Sequence, residues 1–435
     1  MRVRFDYVRD VPEAELIDAA IRGIEESDPK PVSGGVEPDV LIEAALDEMM
    51  TSLDPHSSYL NPGELREMKV SNRGEFGGLG IEVTMEGDFV KVVSPIEGTP
   101  AFRAGILPGD LISHLDGEAI KGKTLMQAVR LMRGKPESII RLTVNRGEKH
   151  PFDVEIRRAV IKVRSVRWRV EEDIGYIRVV SFSEKVAPGI DAAMKDIQDQ
   201  LGSRLAGIVL DLRNNPGGLL HQSLTLSDAF LEQGIIVSVR GRRAGSQRIF
   251  EAESGDLAHG LPVVVLINPG SASASEIVAG ALQDHHRAII MGQRSFGKGS
   301  VQTITPLPQE GALRLTTQLY YSPSGRAIQA RGITPDIEII PMPVKEAPEQ
   351  AAKTESDAKE GEAETQKAVR RREADLPGAL SAIGNESENA HPSLPEENCQ
   401  PVGENDDRAL GCALALIHAG SQANFLASVK QSPAM

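Results

Sequence analysis

The chain has 435 residues, 40% of them hydrophobic and 25% charged, with a formal net charge of −14 at pH 7. That length can bury more than one core, while the acidic balance argues against a nucleic-acid-binding surface. No run of about 20 apolar residues exists to form a transmembrane segment, and no H-E-x-x-H or paired C-x-x-C spacing points to a metal. Cys399 and Cys412, the only cysteines, both lie in the tail; they can pair in an oxidising compartment but do not define the fold.

Residues 1–68 read as a helical region. Positions 13–24 and 40–50 have amphipathic spacing, separated by the loop Asp28-Pro-Lys-Pro-Val-Ser-Gly-Gly-Val36 and followed by Leu53-Asp-Pro-His-Ser-Ser-Tyr59. Residues 69–158 hold short apolar runs between Gly-rich turns: Gly77-Gly-Leu-Gly-Ile-Glu-Val83, Val90-Lys-Val-Val-Ser-Pro95 and Gly109-Asp-Leu-Ile-Ser-His-Leu-Asp-Gly117. With a small helix at 124–132 that ends in Arg133-Gly134, they fit a five- or six-stranded module.

A core is expected over 159–343. Gly207-Ile-Val-Leu-Asp-Leu-Arg-Asn-Asn-Pro-Gly-Gly218 reads as a buried parallel-type strand ending in a Pro-Gly-Gly turn. Leu261-Pro-Val-Val-Val-Leu-Ile-Asn268 repeats the strand pattern and stops at Pro269-Gly270. The run Ser271-Ala-Ser-Ala-Ser275 follows, and Ile277, Val278, Ala281 and Leu282 then have helical spacing. The serines therefore sit at a strand-to-helix junction, where free amides can stabilise a negative charge.

A serine hydroxyl needs a base. Lys298, framed by Phe296, Gly297 and Gly299, is the candidate, because desolvation would lower its pKa and leave it neutral. Gln302 lies four residues on, an even spacing that returns it to the same face if 300–304 is a strand; it would hold the amine in line. Two competing readings weigh less. Gly292-Gln-Arg-Ser-Phe-Gly-Lys298 satisfies most of a phosphate-loop pattern, but Gly299 stands where the hydroxyl belongs and a strand pattern follows instead of a helix. Asp284-His285-His286 invites a triad, yet adjacent histidines on a helix point in different directions, which favours a helix surface.

Residues 344–398 are rich in Ala, Glu, Lys and Ser and read as a solvated polar linker, in part helical. In the 399–435 tail, 407–419 has the pattern of a short amphipathic helix that needs a surface to dock on. The fold class expected is α+β and multi-domain: a helical N-terminal segment, a small β domain, an α/β core with a mixed sheet, and a flexible C-terminal tail.

Together, in order and spacing, the serine run, the Phe-Gly-Lys-Gly-Ser-Val-Gln loop and the Asp-Leu-Arg-x-Asn-Pro-Gly-Gly strand resemble the active-site region of the C-terminal processing peptidases, or tail-specific proteases. These are serine proteases with a Ser-Lys dyad and a PDZ domain. The resemblance implies Ser273 as nucleophile, Lys298 as base and Gln302 as the residue that orients it. It implies an oxyanion hole from the Ala274 amide and the Pro-Gly-Gly loop, with Gly217 and Gly218 both open as donors; such donors are worth about 3 kcal/mol each. It makes 69–158 a PDZ-like domain in which Gly78, Leu79, Gly80 and Ile81 form the peptide-binding carboxylate loop. Arg133 becomes the regulatory link between PDZ and active site, although an arginine at a helix C-terminus is favourable anyway. Residues 53–59 match the segment before the PDZ domain in that family, and the 28–36 loop is longer than the family pattern.

The function so implied is a serine endopeptidase acting on polypeptides with free C-terminal tails, without cofactor or metal, and with a homo-oligomer and an adaptor protein left open. The alternative is a PDZ-bearing tail-binding scaffold without proteolytic activity; intact Ser273, Lys298 and Gln302 count against it. Members of this family are usually exported, yet Met1-Arg-Val-Arg-Phe-Asp-Tyr-Val8 lacks the apolar core of a signal peptide. The expectation is a periplasmic or otherwise exported protein whose signal peptide is missing from this chain, with a cytoplasmic location as the alternative.

Overall fold

In the strands Gly207–Asp211 and Val263–Ile267 every residue is buried, as expected of parallel strands covered on both faces. They form the middle of a seven-stranded mixed sheet, in the order Val166–Glu171, Ile174–Val179, Gly207–Asp211, Val263–Ile267, Ile289–Gly292, Ile337–Ile340, Ser393–Pro395. The first pair is antiparallel and the rest are parallel. The computed structural model describes residues 2–27, 38–96, 98–123, 125–147, 150–162, 164–243, 245–308, 311–342, 372–383, 391–403 and 406–431. The 28–36 loop, Thr124, Pro343 at the end of the expected core, and residues 344–371 and 384–390 of the expected linker lie outside these described residues.

Alternate residues of the central strands serve different layers. Ile208, Leu210, Val263 and Val265 pack with helices Val186–Leu201, Leu220–Asp228 and Ala274–Asp284. Val209, Val264 and Leu266 pack with Leu410, Ala413, Leu416 and Phe425 from helices Arg408–Ala419 and Gln422–Gln431. Each large side chain buried this way contributes about 1.5–3 kcal/mol. The tail helix therefore finds its surface on the core sheet. Asp407 caps it by accepting from the Leu410 amide, and Gly420 at φ 69° closes it. A disulfide joins Cys399 to Cys412 on the helix.

The described parts of the stretch read as a linker are packed. Ser393–Pro395 extends the sheet beside Ile337–Ile340, and Glu373 and Leu380 are buried. A few anchoring residues in a polar sequence suffice for this, and average composition hides them.

A second, antiparallel sheet comprises Ser58–Leu60, Gly234–Gly241, Arg248–Ala252, Ser300–Pro306 and Ala312–Tyr321. Helices Glu13–Ser27 and Pro38–Thr51 pack closely at Gly23, where a Cβ would lie 2.4 Å from the Ala44 carbonyl oxygen.

The chain divides into two compact units, Glu67–Arg164 and the remainder. In the smaller unit Ile81–Glu86, Phe89–Pro95, Leu111–Leu115, Ile139–Asn145 and Phe152–Arg157 form a sheet, with Glu118–Ala119 paired to Leu111–Leu115. Val90, Val92, Ile112, Ile140 and Leu142 fill its core. Strand Ala159–Lys162, which the sequence assigns to the start of the following domain, pairs instead with Glu75–Gly78 inside this unit.

Candidate active site

Strand Val263–Ile267 delivers the chain to the serine turn. Ser271 and Ser275 are fully buried, and their hydroxyls donate to the main-chain carbonyls of Leu212 at 2.8 Å and Asn215 at 2.9 Å. Ser273, half-buried between them, stands at the N-cap of helix Ala274–Asp284 with φ 56° and ψ −112°. A non-glycine residue at positive φ stores strain that its surroundings must hold.

The element that holds it is Glu276, three residues into the helix and fully buried. Its Oε2 accepts the Ser273 N–H at 2.7 Å and the Lys298 N–H at 2.9 Å; its Oε1 accepts the Gly297 N–H at 2.6 Å and the Ser295 hydroxyl at 2.5 Å. Burial pushes this carboxyl up to about 7 against the pull of those four donors. Sequence reasoning missed Glu276 as a site residue. The signal available was the Ser-x-x-Glu spacing at a helix start, which predicts one of the four bonds.

Lys298 lies in a loop that only glycine permits. A Cβ on Gly299 would lie 2.1 Å from the Gln329 nitrogen, and Gly297 has φ 100°. Burial pushes the Lys298 ammonium below the usual lysine range, and Arg314 acts in the same direction; Glu373, Asp54 and Glu276 oppose them. Even spacing does not carry Gln302 to the lysine, because Lys298 precedes strand Ser300–Pro306 and the register shifts between Val301 and Gln302. Gln302 is instead fixed by its side-chain amide, whose nitrogen donates to Ser300 Oγ at 2.9 Å and Thr316 Oγ1 at 3.3 Å. Thr316 Oγ1 in turn donates to buried Asp54 at 3.0 Å, whose other oxygen accepts from Ser57 Oγ at 2.6 Å. The Leu53–Tyr59 string thus ends in the same network as Gln302.

At the Pro-Gly-Gly loop, Gly217 presses on the serine turn: a Cβ there would lie 2.8 Å from Ser273 Cβ and 3.1 Å from the Ala274 nitrogen. Its N–H is taken by Asn215 Oδ1 at 2.9 Å. Gly218 is exposed, and its N–H donates to nothing among the described residues. Below the loop, buried Asp211 accepts from Tyr176 Oη and Arg213, and Arg213 reaches Asp407 with both terminal nitrogens, at 2.9 and 2.6 Å.

In the smaller unit a groove of about 110 Å³ is lined by Phe76, Gly78, Leu79, Gly80, Ile81, Val129 and Arg133, among others. The carbonyls of Leu79 and Gly80 accept from Ala101 and Ile96, while their N–H groups donate to nothing among the described residues. Arg133 stacks over Phe76 at 4.5 Å. His285 lies at the end of the serine helix, its Nε2 2.7 Å from the Ile235 carbonyl oxygen. Although no metal-ligand spacing is visible in the sequence, the fold gathers Glu172, Asp173 and His418 at the surface, with His418 hydrogen-bonded to Asp173.

Comparison with known proteins places this architecture. A profile of Peptidase family S41 matches residues 173–339, and a PDZ domain profile matches 77–156. The chain is 58% identical over 308 residues to a carboxy-terminal-processing protease of Bartonella bacilliformis, covering 70% of this chain and 71% of that one. It is 37% identical over 305 residues to a probable CtpA-like serine protease of Staphylococcus aureus, covering 69% of this chain and 60% of that one. A solved structure of a photosystem II D1 C-terminal processing protease is 28% identical with a TM-score of 0.48, covering 78% of this chain and 90% of that one. The chain belongs to peptidase family S41, among the PDZ-containing carboxy-terminal-processing serine proteases. Among the described residues, no helix is long and apolar enough to cross a membrane.

Proposed function

We propose that the enzyme cuts polypeptides near a free C-terminus with a Ser273–Lys298 dyad, and that its PDZ groove takes the substrate tail. The observation that carries this reading is the Glu276 carboxylate, which ties the strained serine turn to the lysine loop through their main-chain N–H groups. Only one of the three clustered serines has a hydroxyl free of a main-chain carbonyl, and Lys298 is pushed toward its neutral form.

In this mechanism Ser273 Oγ attacks the scissile carbonyl while neutral Lys298 takes its proton. The Ala274 and Gly218 N–H groups stabilise the oxyanion, Gly217 being committed to Asn215. Lys298 returns the proton to the leaving amine, and water then hydrolyses the acyl-enzyme with the lysine again as base. The side-chain nitrogen of Gln302 is occupied, which leaves its carbonyl to accept from the lysine amine. The Leu79 and Gly80 amides, unpaired among the described residues, fit a terminal carboxylate, the apolar lining fits an apolar or small last residue, and Arg133 couples the filled groove to turnover. The Cys399–Cys412 disulfide suits an oxidising compartment, in keeping with a periplasmic enzyme.

Fluorophosphonate labelling followed by peptide mapping tests the assignment. Ser273 carries the label, Ser273→Ala neither labels nor cleaves, and Ser271→Ala and Ser275→Ala lose stability but still label. Label on a neighbouring serine, or cleavage by Ser273→Ala, removes the assignment.

A further inference from the structure

Glu373 lies 75 residues beyond Lys298 in a polar stretch, yet none of its surface is exposed. Its N–H donates to the Phe296 carbonyl at 3.1 Å, on one side of Lys298. Its carboxylate accepts from Gln329 Nε2 at 2.8 Å, and Gln329 Oε1 accepts the Gly299 N–H at 3.0 Å, on the other side. The same carboxylate lies 2.8 and 3.0 Å from His56 Nε2. The His56 carbonyl accepts from Arg314, and its N–H donates to Asp54. One residue from the C-terminal part of the chain thus brackets the lysine loop, with its main-chain N–H on one side and its carboxylate, through Gln329, on the other, and the carboxylate joins the loop to the 53–59 string.

We propose that Glu373 is a positioning residue for the reaction: with His56 and Gln329 it fixes the loop that carries Lys298 and supplies a negative charge to the lysine's surroundings, so that residues 372–383 complete the base site. The proposal rests on the reading of Lys298 as the base. A carboxylate this deeply buried is costly unless its partners repay it, and an all-apolar cluster in place of Glu373 and its partners would fill the same space at no greater cost. What such a cluster would lack is the charge and the acceptor that Gln329 and His56 share. Lys298 is faced by Arg314 from strand Ala312–Tyr321, Asp54 from the segment before Ser58–Leu60, Glu276 from the serine helix, and Glu373. Burial and Arg314 press the amine toward neutrality, and Glu373 is the first of the carboxylates that oppose them. A base stripped of that opposition is neutral at lower pH but accepts a proton less strongly.

The test uses full-length protein and measures kcat, KM and thermal unfolding across pH. In Glu373→Gln the acid limb of kcat/KM moves to lower pH, plateau kcat falls about tenfold or more, and KM stays within about twofold. Glu373→Asp keeps the limb in place but loses several-fold in kcat, because the shorter side chain cannot hold Gln329 and His56 together. A Glu373→Gln limb that superimposes on the parent, with activity lost only in step with thermal stability, overturns the proposal. If Glu373→Gln does not fold, Glu373→Asp decides, and unchanged kcat there overturns it. Lys298→Ala separates the two claims. Cleavage by that variant removes the base and this proposal together, whereas an inactive Lys298→Ala with an unmoved Glu373→Gln limb removes only the role of Glu373.

Discussion

Glu276 accepts the main-chain N–H of Lys298 at 2.9 Å, and the same carboxylate oxygen accepts that of Ser273 at 2.7 Å. The glutamine side chain in Glu276→Gln has one acceptor oxygen and an NH₂ group that would face N–H donors. Each buried donor left unpaired costs about 1–3 kcal/mol, so the variant should be destabilised and its labelling rate at Ser273 should drop about 100-fold as the turn relaxes. Labelling at the parent rate would show that the turn holds itself.

The same residue gives a pH signature. Its carboxyl rises from an ordinary value of 4.5 to about 7 in the fold, so between those values the native state holds a proton that the unfolded chain has released. Its contribution therefore declines as pH rises from 4.5 to 7 and is flat outside that window. Urea unfolding of the parent should show this decline, and Glu276→Gln should lack it. Identical pH slopes in both proteins would place the titration elsewhere.

Lys298→Arg should be nearly as inactive as Lys298→Ala, since a guanidinium does not deprotonate to act as a base. In the parent, cleavage should rise with pH as the amine loses its proton. The rise should begin below the usual lysine range, because burial lowers the ammonium. An active arginine variant would mean that the position supplies charge and no proton transfer.

The sequence makes some of this site legible and hides the rest for physical reasons. Strand periodicity and Pro-Gly punctuation mark the Leu212, Asn268 and Pro269 neighbourhood, because those signals are local. The bracket around Lys298 is non-local: His56 and Glu373 lie 317 residues apart and meet only because the second sheet carries one end and the 372–383 segment the other. The bulge at Val301/Gln302 defeats face assignment by counting, since one irregular step reverses every later side chain. Glu276 shows one of its four contacts in sequence, as a capping residue; its contacts with Ser295, Gly297 and Lys298 require the loop to return to it.

Gly80→Val should impair tail selection more than chemistry. Gly80 has φ 76°, and a Cβ there would lie 2.3 Å from Thr99 Cβ, so the 78–81 loop must move. A peptide with a free C-terminal carboxylate should be cleaved better than its amidated twin by the parent, and the difference should shrink in the variant. Equal cleavage of both peptides by the parent would remove carboxylate recognition from this loop.

Asp407 links the tail helix to the strand below the Pro-Gly-Gly loop, capping Leu410 and receiving both terminal nitrogens of Arg213. Burial pushes its carboxyl up, but the hydrogen bonds and charge of Arg213 prevail and hold it below the usual range. A depressed carboxyl contributes stability above its unfolded value near 3.9, and that contribution is lost as pH falls through the folded value. Asp407→Asn should therefore cost about 1.5–3 kcal/mol at neutral pH, the scale of a charge-assisted hydrogen bond. The gap from the parent should close as both are taken into acid. Chemical unfolding at pH 7 and at successively lower pH checks this, and a gap that stays constant would mean that Asp407 acts through its hydrogen-bond geometry with no contribution from its charge.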